Sequence, residues 1–556
     1  CVSSKKEATE YIMSNILLVV PHFWDPICVP LGVSSLKSYA EGEGHHVDLL
    51  DFNTNNQIFK LQNKYFLTVL KMFPYMERWN IFRNGTEMLS IHQLLYLNAR
   101  SKTYYPDLVA EVMNMDGRNH SKFCEQLDVS KFDAIFDKLY SMIEDVVKQE
   151  MQLKDYQFIG CHLNNSTWAG TTHCLKYAKK LNGRIKTIVG GPGPVMGITS
   201  SPHEVKDFMK KNDFIDHFVI GEGEKALVKI LNNEISAKII DPVLLKSVLE
   251  DDNAFIDFKK APIPDYGDLE IKKYLQLSVS SSRGCPFECS FCAETVFWEG
   301  FRSNTASSVY NQIDSLAKKY KRSSFYICDS LTNHIITPLA QEIKDNNKPY
   351  TLDCYLRADK VCTQEKRTKA WREGGLFRAR LGMESASQRI LDDMIKNTTP
   401  ENMEMSLYAL SKHGILTSTL WIIAYPGETE NEFKETLKFI KDSSAHIYQS
   451  DPWLFQYHPV GLSKSDKISS EKGSKARFSN YINEILSVAP YHVDQDLSQE
   501  ERFGRLERFT CEMEELELLN PYSVTDILKA EKRFSGLNSG KSSGWDPLSS
   551  MKKLAS

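Results

Sequence analysis

Ser282-Arg283-Gly284-Cys285-Pro286-Phe287-Glu288-Cys289-Ser290-Phe291-Cys292 places three cysteines in eight residues, directly after the strand-like run Leu277–Ser280. The spacing is Cys-x3-Cys-x2-Cys. Twelve cysteines scattered at random over 556 residues would give it about 0.006 times per chain. Three thiolates on one tight loop can hold three irons of a four-iron cluster and leave the fourth iron open to a small molecule. A structural zinc site usually closes with four ligands, and no Cys or His follows Cys292 for thirty residues. A redox dithiol at Cys289 and Cys292 leaves Cys285 unexplained. The other nine cysteines, Cys1, Cys28, Cys124, Cys161, Cys174, Cys328, Cys354, Cys362 and Cys511, are too dispersed for a disulfide scaffold.

Downstream of the loop, strand-like runs near 324–328, 350–356, 378–382 and 417–423 alternate with helical ones, Ala306–Tyr320 and Glu401–His413 among them. Thr399 as N-cap, Pro400 at the first position and Gly414 just past the end bracket the last helix. Repeated βα units predict a full or partial barrel over 276–443, with its working face at the strand C-termini.

Upstream, Asn15–Val20, a loop with Pro21, Pro26 and Pro30, a helical stretch Leu31–Glu43 and the strand His46–Phe52 read as the opening βαβ of a doubly wound sheet. Alternation returns with strands 157–163, 185–189 and 214–220 and helices 169–181 and 225–231. Two of these strands end in Gly190-Gly191-Pro192-Gly193 and Gly221-Glu222-Gly223-Glu224. This places a sheet domain over 15–240, interrupted by an aromatic- and Met-rich helical insertion at 57–150. Residues 1–14 read as a tail and 241–275 as a linker. Residues 444–534, with a charged helix at 499–519, form a mixed, mainly helical C-terminal region before a Gly/Ser-rich tail, 535–556.

Composition bounds the partners. Hydrophobic residues make up 42% and charged residues 25%, as in ordinary globular chains. At roughly 100–200 residues per domain, the length predicts two to four domains. Net charge is −4, from 68 basic and 72 acidic residues, which disfavours a nucleic-acid partner held by bulk charge. No apolar run nears the ~20 residues of a membrane span, and the polar stretch Cys1–Met13 lacks the apolar core of a secretory signal. The chain reads as cytoplasmic.

The cysteine loop, with an aromatic residue before its last cysteine, resembles the radical S-adenosylmethionine (SAM) superfamily. The resemblance extends through Phe325–Ser330, Leu381–Ser387, Ile390–Thr399 and Ile422–Thr429. It implies that Cys285, Cys289 and Cys292 bind a [4Fe-4S] cluster whose open iron chelates SAM. One electron then cleaves SAM to methionine and a 5'-deoxyadenosyl radical. Phe291, Glu384, Ser385 and Tyr425 would lie against SAM. Arg357 reads either as a partner of the SAM carboxylate or as a surface residue.

A doubly wound domain directly before this core resembles that of the cobalamin-dependent radical SAM enzymes, on Pro30-Leu31-Gly32, His46–Asp51, Gly190-Gly191-Pro192 and Gly221–Glu224. The resemblance implies cobalamin contacts at Leu31, Gly32, Asp51, Asn164, Ser166, Gly190, Gly191, Gly221, Glu222 and Gly223. Glycines there allow close backbone approach to a flat corrin. The Asp-x-His-x-x-Gly motif of proteins that ligate cobalt through histidine is absent, so His22, His162 and His173 are not expected on cobalt.

The implied activity is methyl transfer to an unactivated carbon after hydrogen abstraction. Ring contraction, cyclisation or another rearrangement without methyl transfer is the alternative. Methylthiotransfer to tRNA and a non-catalytic iron–sulfur module stand further off. Expected partners are a small-molecule, lipid or peptide substrate and a low-potential electron donor of the flavodoxin or ferredoxin type. The aromatic group Trp453, Phe455, Tyr457 and His458 reads as core or as lining of a substrate cavity.

Overall fold

The computed structural model describes residues 13–22, 28–73, 81–116, 127–164, 166–191, 202–251, 253–455, 474–476, 479–486, 491–493 and 497–518. Both predicted tails, together with Pro192, Gly193, Tyr457 and His458, lie outside them apart from Met13 and Ser14. Two six-stranded parallel sheets organise the chain.

The first contains β1 (Asn15–Val20), β2 (His46–Asp51), β3 (Phe158–His162), β4 (Lys186–Gly190), β5 (His217–Val219) and β6 (Ile239–Ile240), in the order β2-β1-β3-β4-β5-β6. Every neighbouring pair is parallel. The order reverses between β1 and β3, so a crevice opens beyond their C-terminal ends. Strand β1 reads Asn-Ile-Leu-Leu-Val-Val without alternation because both of its faces are covered. Ile16, Leu18 and Val20 pack on one side with helices Leu31–Gly42 and Glu224–Leu231. Leu17 and Val19 pack on the other, under helices Asn56–Met72, Ile81–Ala99, Tyr105–Met113, Ser130–Leu153 and Trp168–Leu181. The described helices between residues 56 and 153 thus form a layer over one face of the sheet.

The second sheet contains β7 (Leu277–Val279), β10 (Ser324–Ile327), β11 (Thr351–Leu356), β12 (Leu376–Glu384), β13 (Leu416–Ile423) and β14 (Gln449–Leu454), in the order β14-β13-β12-β11-β10-β7, again all parallel. It is the predicted partial barrel with a sixth strand, β14, which lies beyond the boundary at 443. That strand carries Pro452, which a sheet tolerates at an edge, where the missing N–H is not needed. Between β7 and β10, β8 (Ser282–Arg283) and β9 (Arg302–Ser303) form a small antiparallel hairpin. Along β11, Leu352, Cys354 and Leu356 pack into the helix-covered core. By the two-residue period Asp353, Tyr355 and Arg357 share the opposite, interior face. There Asp353, fully buried, accepts from both Arg378 and Arg380 on β12.

The stretch 241–275 is more ordered than a linker. It forms the helix Pro242–Leu249, then buries Ala254, Ile256, Tyr266, Leu269 and Tyr274 singly. Anchors spaced without a period escape pattern reading. The C-terminal helix Gln499–Glu515, opened by a Ser498/Glu501 capping box, buries Phe503 and Leu506 in one core and Phe509 and Met513 in the other.

Candidate active site at the barrel mouth

The cysteine loop leaves the sheet at β8 and returns at β9. Gly284 has φ +78°, and a Cβ there would stand 1.9 Å from the carbonyl oxygen of Gly300, so only glycine closes this loop. Inside it Ser290 is fully buried. Its N–H donates to the Met394 carbonyl at 3.0 Å, and its hydroxyl lies 3.1 Å from both the Asp393 carbonyl and the Tyr425 hydroxyl. Phe291 packs with Ile390, Met394, Ile422, Tyr425 and Phe455. Cys285, Cys289 and Cys292 form no disulfide and are half-buried. Burial raises the Cys285 thiol and pushes Cys292 up to about 12, so a metal must displace those protons on binding. No three His, Cys, Asp or Glu side chains among the described residues converge as a single metal ion requires. A four-iron cluster takes each thiolate on a different iron, which needs wider spacing.

Arg357, at the C-terminal end of β11, is not a surface residue: it is 5% exposed. Its Nη1 lies 3.9 Å from the Cys289 sulfur, and its guanidinium stacks 4.0 Å from the Phe287 ring centroid. Asn333 fixes its backbone, accepting from the Arg357 N–H at 2.8 Å and donating to its carbonyl at 3.0 Å. Its Nη2 is buried with no hydrogen-bond partner. An orphaned cationic donor beside three thiols fits a ligand carboxylate.

Strands β12 and β13 both end in left-handed backbone, Glu384 at φ +67° and Ala424 at φ +59°. Such strain collects at functional sites. Glu384 pairs with Lys396 at 2.8 Å, and a Cβ on Gly382 would come within 2.6 Å of the Glu384 carboxylate. Lys396 lies 5.8 Å from the Phe291 ring centroid. Tyr425 is buried, edge-on to Phe455 at 5.3 Å. Ser385 is turned away: its hydroxyl meets Thr436 at 3.4 Å and accepts from the Ser387 N–H, so it secures the turn after β12. Trp453 is 39% exposed at the end of β14.

Among the residues matched to a corrin site, Gly190 and Gly191 end β4. Gly191 has φ +124°, and a Cβ there would meet the His162 ring at 2.7 Å. Gly32 faces open space in the first turn of helix Leu31–Gly42, beside half-buried Leu31. Gly221 has φ +90°, and Gly223 lies against Leu36. Asn164 and Ser166 engage each other: the Asn164 side-chain oxygen accepts from the Ser166 N–H, the Ser166 hydroxyl and the Thr167 N–H ahead of helix Trp168–Leu181. Asp51 accepts from the Tyr274 hydroxyl at 2.7 Å, the Asn53 N–H and Thr54. Burial raises its carboxyl above the usual range. Glu222 pairs with Arg283 and Arg302 in the second domain. Of these glycines Gly32 faces open space, Gly190 and Gly191 are backed by Val219 and by His162 and Leu163, and Asp51 and Glu222 are already engaged by protein groups.

Sequence reading missed Lys396, Ser290, Asn333 and the pair Glu428–Arg505. In that pair Arg505, from the C-terminal helix, donates to the Glu428 carboxylate at 2.9 Å, and Glu428 accepts from the Ala424 N–H. Lys396 lies inside the stretch Ile390–Thr399, which the resemblance covers without giving this residue a role. Arg505 has no local signal.

The family model of the radical SAM superfamily matches residues 279–440. Residues 279–440 are a radical SAM domain. Around it, the chain is 26% identical over 355 residues to the anaerobic magnesium-protoporphyrin IX monomethyl ester cyclase of Rubrivivax gelatinosus, covering 59% of this chain and 62% of that protein. The chain therefore spans less than two thirds of that relative. It is 28% identical over 334 residues to an uncharacterized methyltransferase of Pyrococcus horikoshii, covering 57% of this chain and 70% of that one. In structure it is similar to the radical SAM methyltransferase TsrM from Kitasatospora setae, solved with cobalamin and a [4Fe-4S] cluster bound. The TM-score is 0.53 at 15% identity, over 84% of this chain and 80% of that chain. The shared fold thus includes the sheet domain ahead of the radical SAM domain. No helix among the described residues is long and apolar enough to cross a membrane.

Proposed function

We propose that this chain is a cobalamin-dependent radical SAM enzyme that transfers a methyl group to an unactivated carbon after hydrogen abstraction. The observation that carries the reading is the junction of the two sheets. The turn Gly221–Glu224, on the crevice edge of the first, contacts Arg283 at the base of the cysteine loop. The crevice edge of the first sheet and the base of the cysteine loop are thereby joined.

The bound groups supply the one-electron and methyl-carrying chemistry that side chains lack. Cys285, Cys289 and Cys292 provide three thiolates. Arg357 binds the SAM carboxylate through its orphaned Nη2, and Glu384, held by Lys396, offers its carboxylate to a SAM donor. Phe291, Tyr425 and Phe455 wall the pocket and exclude water. Gly32, which faces open space, lets backbone approach the corrin. The substrate is a small molecule, lipid or peptide, and a flavodoxin- or ferredoxin-type donor supplies electrons.

A second reading, cyclisation without methyl transfer, is favoured by the similarity to the magnesium-protoporphyrin cyclase. Anaerobic reconstitution with iron, sulfide and hydroxocobalamin, followed by SAM and a low-potential reductant, separates the two. Formation of both 5'-deoxyadenosine and cobalamin-dependent S-adenosylhomocysteine supports methyl transfer. 5'-Deoxyadenosine alone, with cobalamin bound, moves the cyclase reading ahead. Neither product, with equal iron in wild type and Cys292→Ala, overturns the cluster assignment.

A further inference from the structure

The hairpin that closes the cysteine loop has an electrostatic defect. Arg283 and Arg302 stand directly opposite each other in its antiparallel register. Like charges facing across a two-strand ladder push it apart, and a ladder of two residues per strand has little else to hold it.

The correction comes from the other domain. One carboxylate oxygen of Glu222 lies 3.0 Å from Arg283 Nη1 and 2.5 Å from Arg302 Nη2. Its second oxygen accepts from the Ile256 N–H at 3.1 Å. Glu224 takes the other arm of Arg283 at 2.5 Å. The carboxylates are 2% and 6% exposed, so solvent screens them little. Burial works against the charge of Arg283, but Glu224 and Glu222 raise it above the ordinary arginine value. Aromatic faces complete the clasp: Phe258 and Trp298 lie on Arg283, and Phe255 on Arg302.

We propose that Glu222 and Glu224 are positioning residues of the cysteine loop, acting through Arg283 and Arg302, rather than contacts to a corrin. The two edges of the molecule then share one clasp. The first domain holds closed the base of the loop that presents the three thiolates. This rests on the radical SAM reading of the loop, and on the corrin reading only for its contrast.

The test begins with metal-free protein, so that its result does not depend on any cofactor. Amide hydrogen exchange is compared between wild type and Glu222→Gln. The expected result is exchange about ten-fold faster or more across 284–301, with 351–356 unchanged. Cobalamin affinity, titrated by absorbance, stays within about two-fold of wild type, and the reduced-cluster EPR signal with SAM changes shape. Unchanged exchange across 284–301 overturns the proposal. So does a loss of cobalamin affinity of about ten-fold or more with the loop still protected, which returns Glu222 to the corrin.

Should Glu222→Gln fail to fold, Glu224→Gln leaves Glu222 on both arginines and gives the same readout, expected at about three-fold. No change there overturns the proposal. Failure of wild type itself to retain iron strikes the radical SAM reading and leaves the exchange result on the clasp standing.

Discussion

The two sheets have six parallel strands each and the same kind of C-terminal edge, yet they treat their polar groups in opposite ways. At the barrel mouth Arg357 is buried with one guanidinium nitrogen unpartnered, close to three half-buried cysteines that form no disulfide. At the crevice edge of the first sheet, Asp51 is half-buried and accepts from Tyr274, and buried Glu222 is ion-paired with Arg283 and Arg302. What that edge leaves available is backbone at Gly32. The difference separates groups kept for a ligand from groups spent on joining the domains. An orphaned buried charge costs stability and persists only where something pairs with it in use.

The sharpest way to break this comparison is at the thiols. Cys292→Ala should lower 5'-deoxyadenosine formation by about a thousand-fold or more, by removing one of the cluster's protein ligands. Cobalamin binding, followed by absorbance, should persist. Joint loss of both would mean that the two edges are not separable.

The first domain should also be the more acid-sensitive. Burial holds His22 and His92 down to about 3. Their unfolded forms titrate near 6.5, so the unfolded chain binds more protons between those values. The stability they confer is complete above pH 6.5 and is lost as pH falls toward 3, on the order of 4 kcal/mol each. Denaturant unfolding between pH 7 and 5 should show this slope, shallower in His92→Gln.

Arg357→Met should weaken SAM binding by about 10- to 100-fold, the worth of a charge-assisted hydrogen bond, with iron content unchanged. Isothermal titration of the reconstituted protein reads both. The smallest effect belongs to Asp51→Ala. It strands the Tyr274 hydroxyl and should cost about 1–3 kcal/mol of stability, while cobalamin affinity stays within about two-fold. A large loss of affinity would return Asp51 to the corrin.

Legibility in the sequence followed distance along the chain. Three cysteines within eight residues, a strand before them and the capped helix after Thr399 are local patterns, and each reads from a short window. Strand β14 does not, because Gln449–Leu454 is polar and carries a proline, which only its edge position explains. Gly221–Glu224 read as a glycine-rich turn for a ligand, since nothing nearby announces that its two acids reach Arg283 across the domain boundary. Arg505 sits on a charged helix between Arg502, which donates to the Phe455 carbonyl, and Arg508, which pairs with Glu430, and its burial against Glu428 is a product of tertiary packing. Spacing could suggest which residue types belong to a site, but not whether a neighbour had already taken them.

An open barrel has raw edges, and one of them is closed from outside. Beyond β7, Cys28 takes up a parallel bridge with Gln276, the Val29 N–H donates to the Gln276 carbonyl, and Ser278 donates to the Val29 carbonyl. Two residues from the first domain thus serve as the start of a further strand. Exposed strand edges recruit other chains, and native proteins cover or charge them. A protein beginning at residue 276 would expose that row of unpaired amides and carbonyls and invite edge-to-edge aggregation. The cover over that edge is therefore supplied by the first domain, and separating the two halves would remove it.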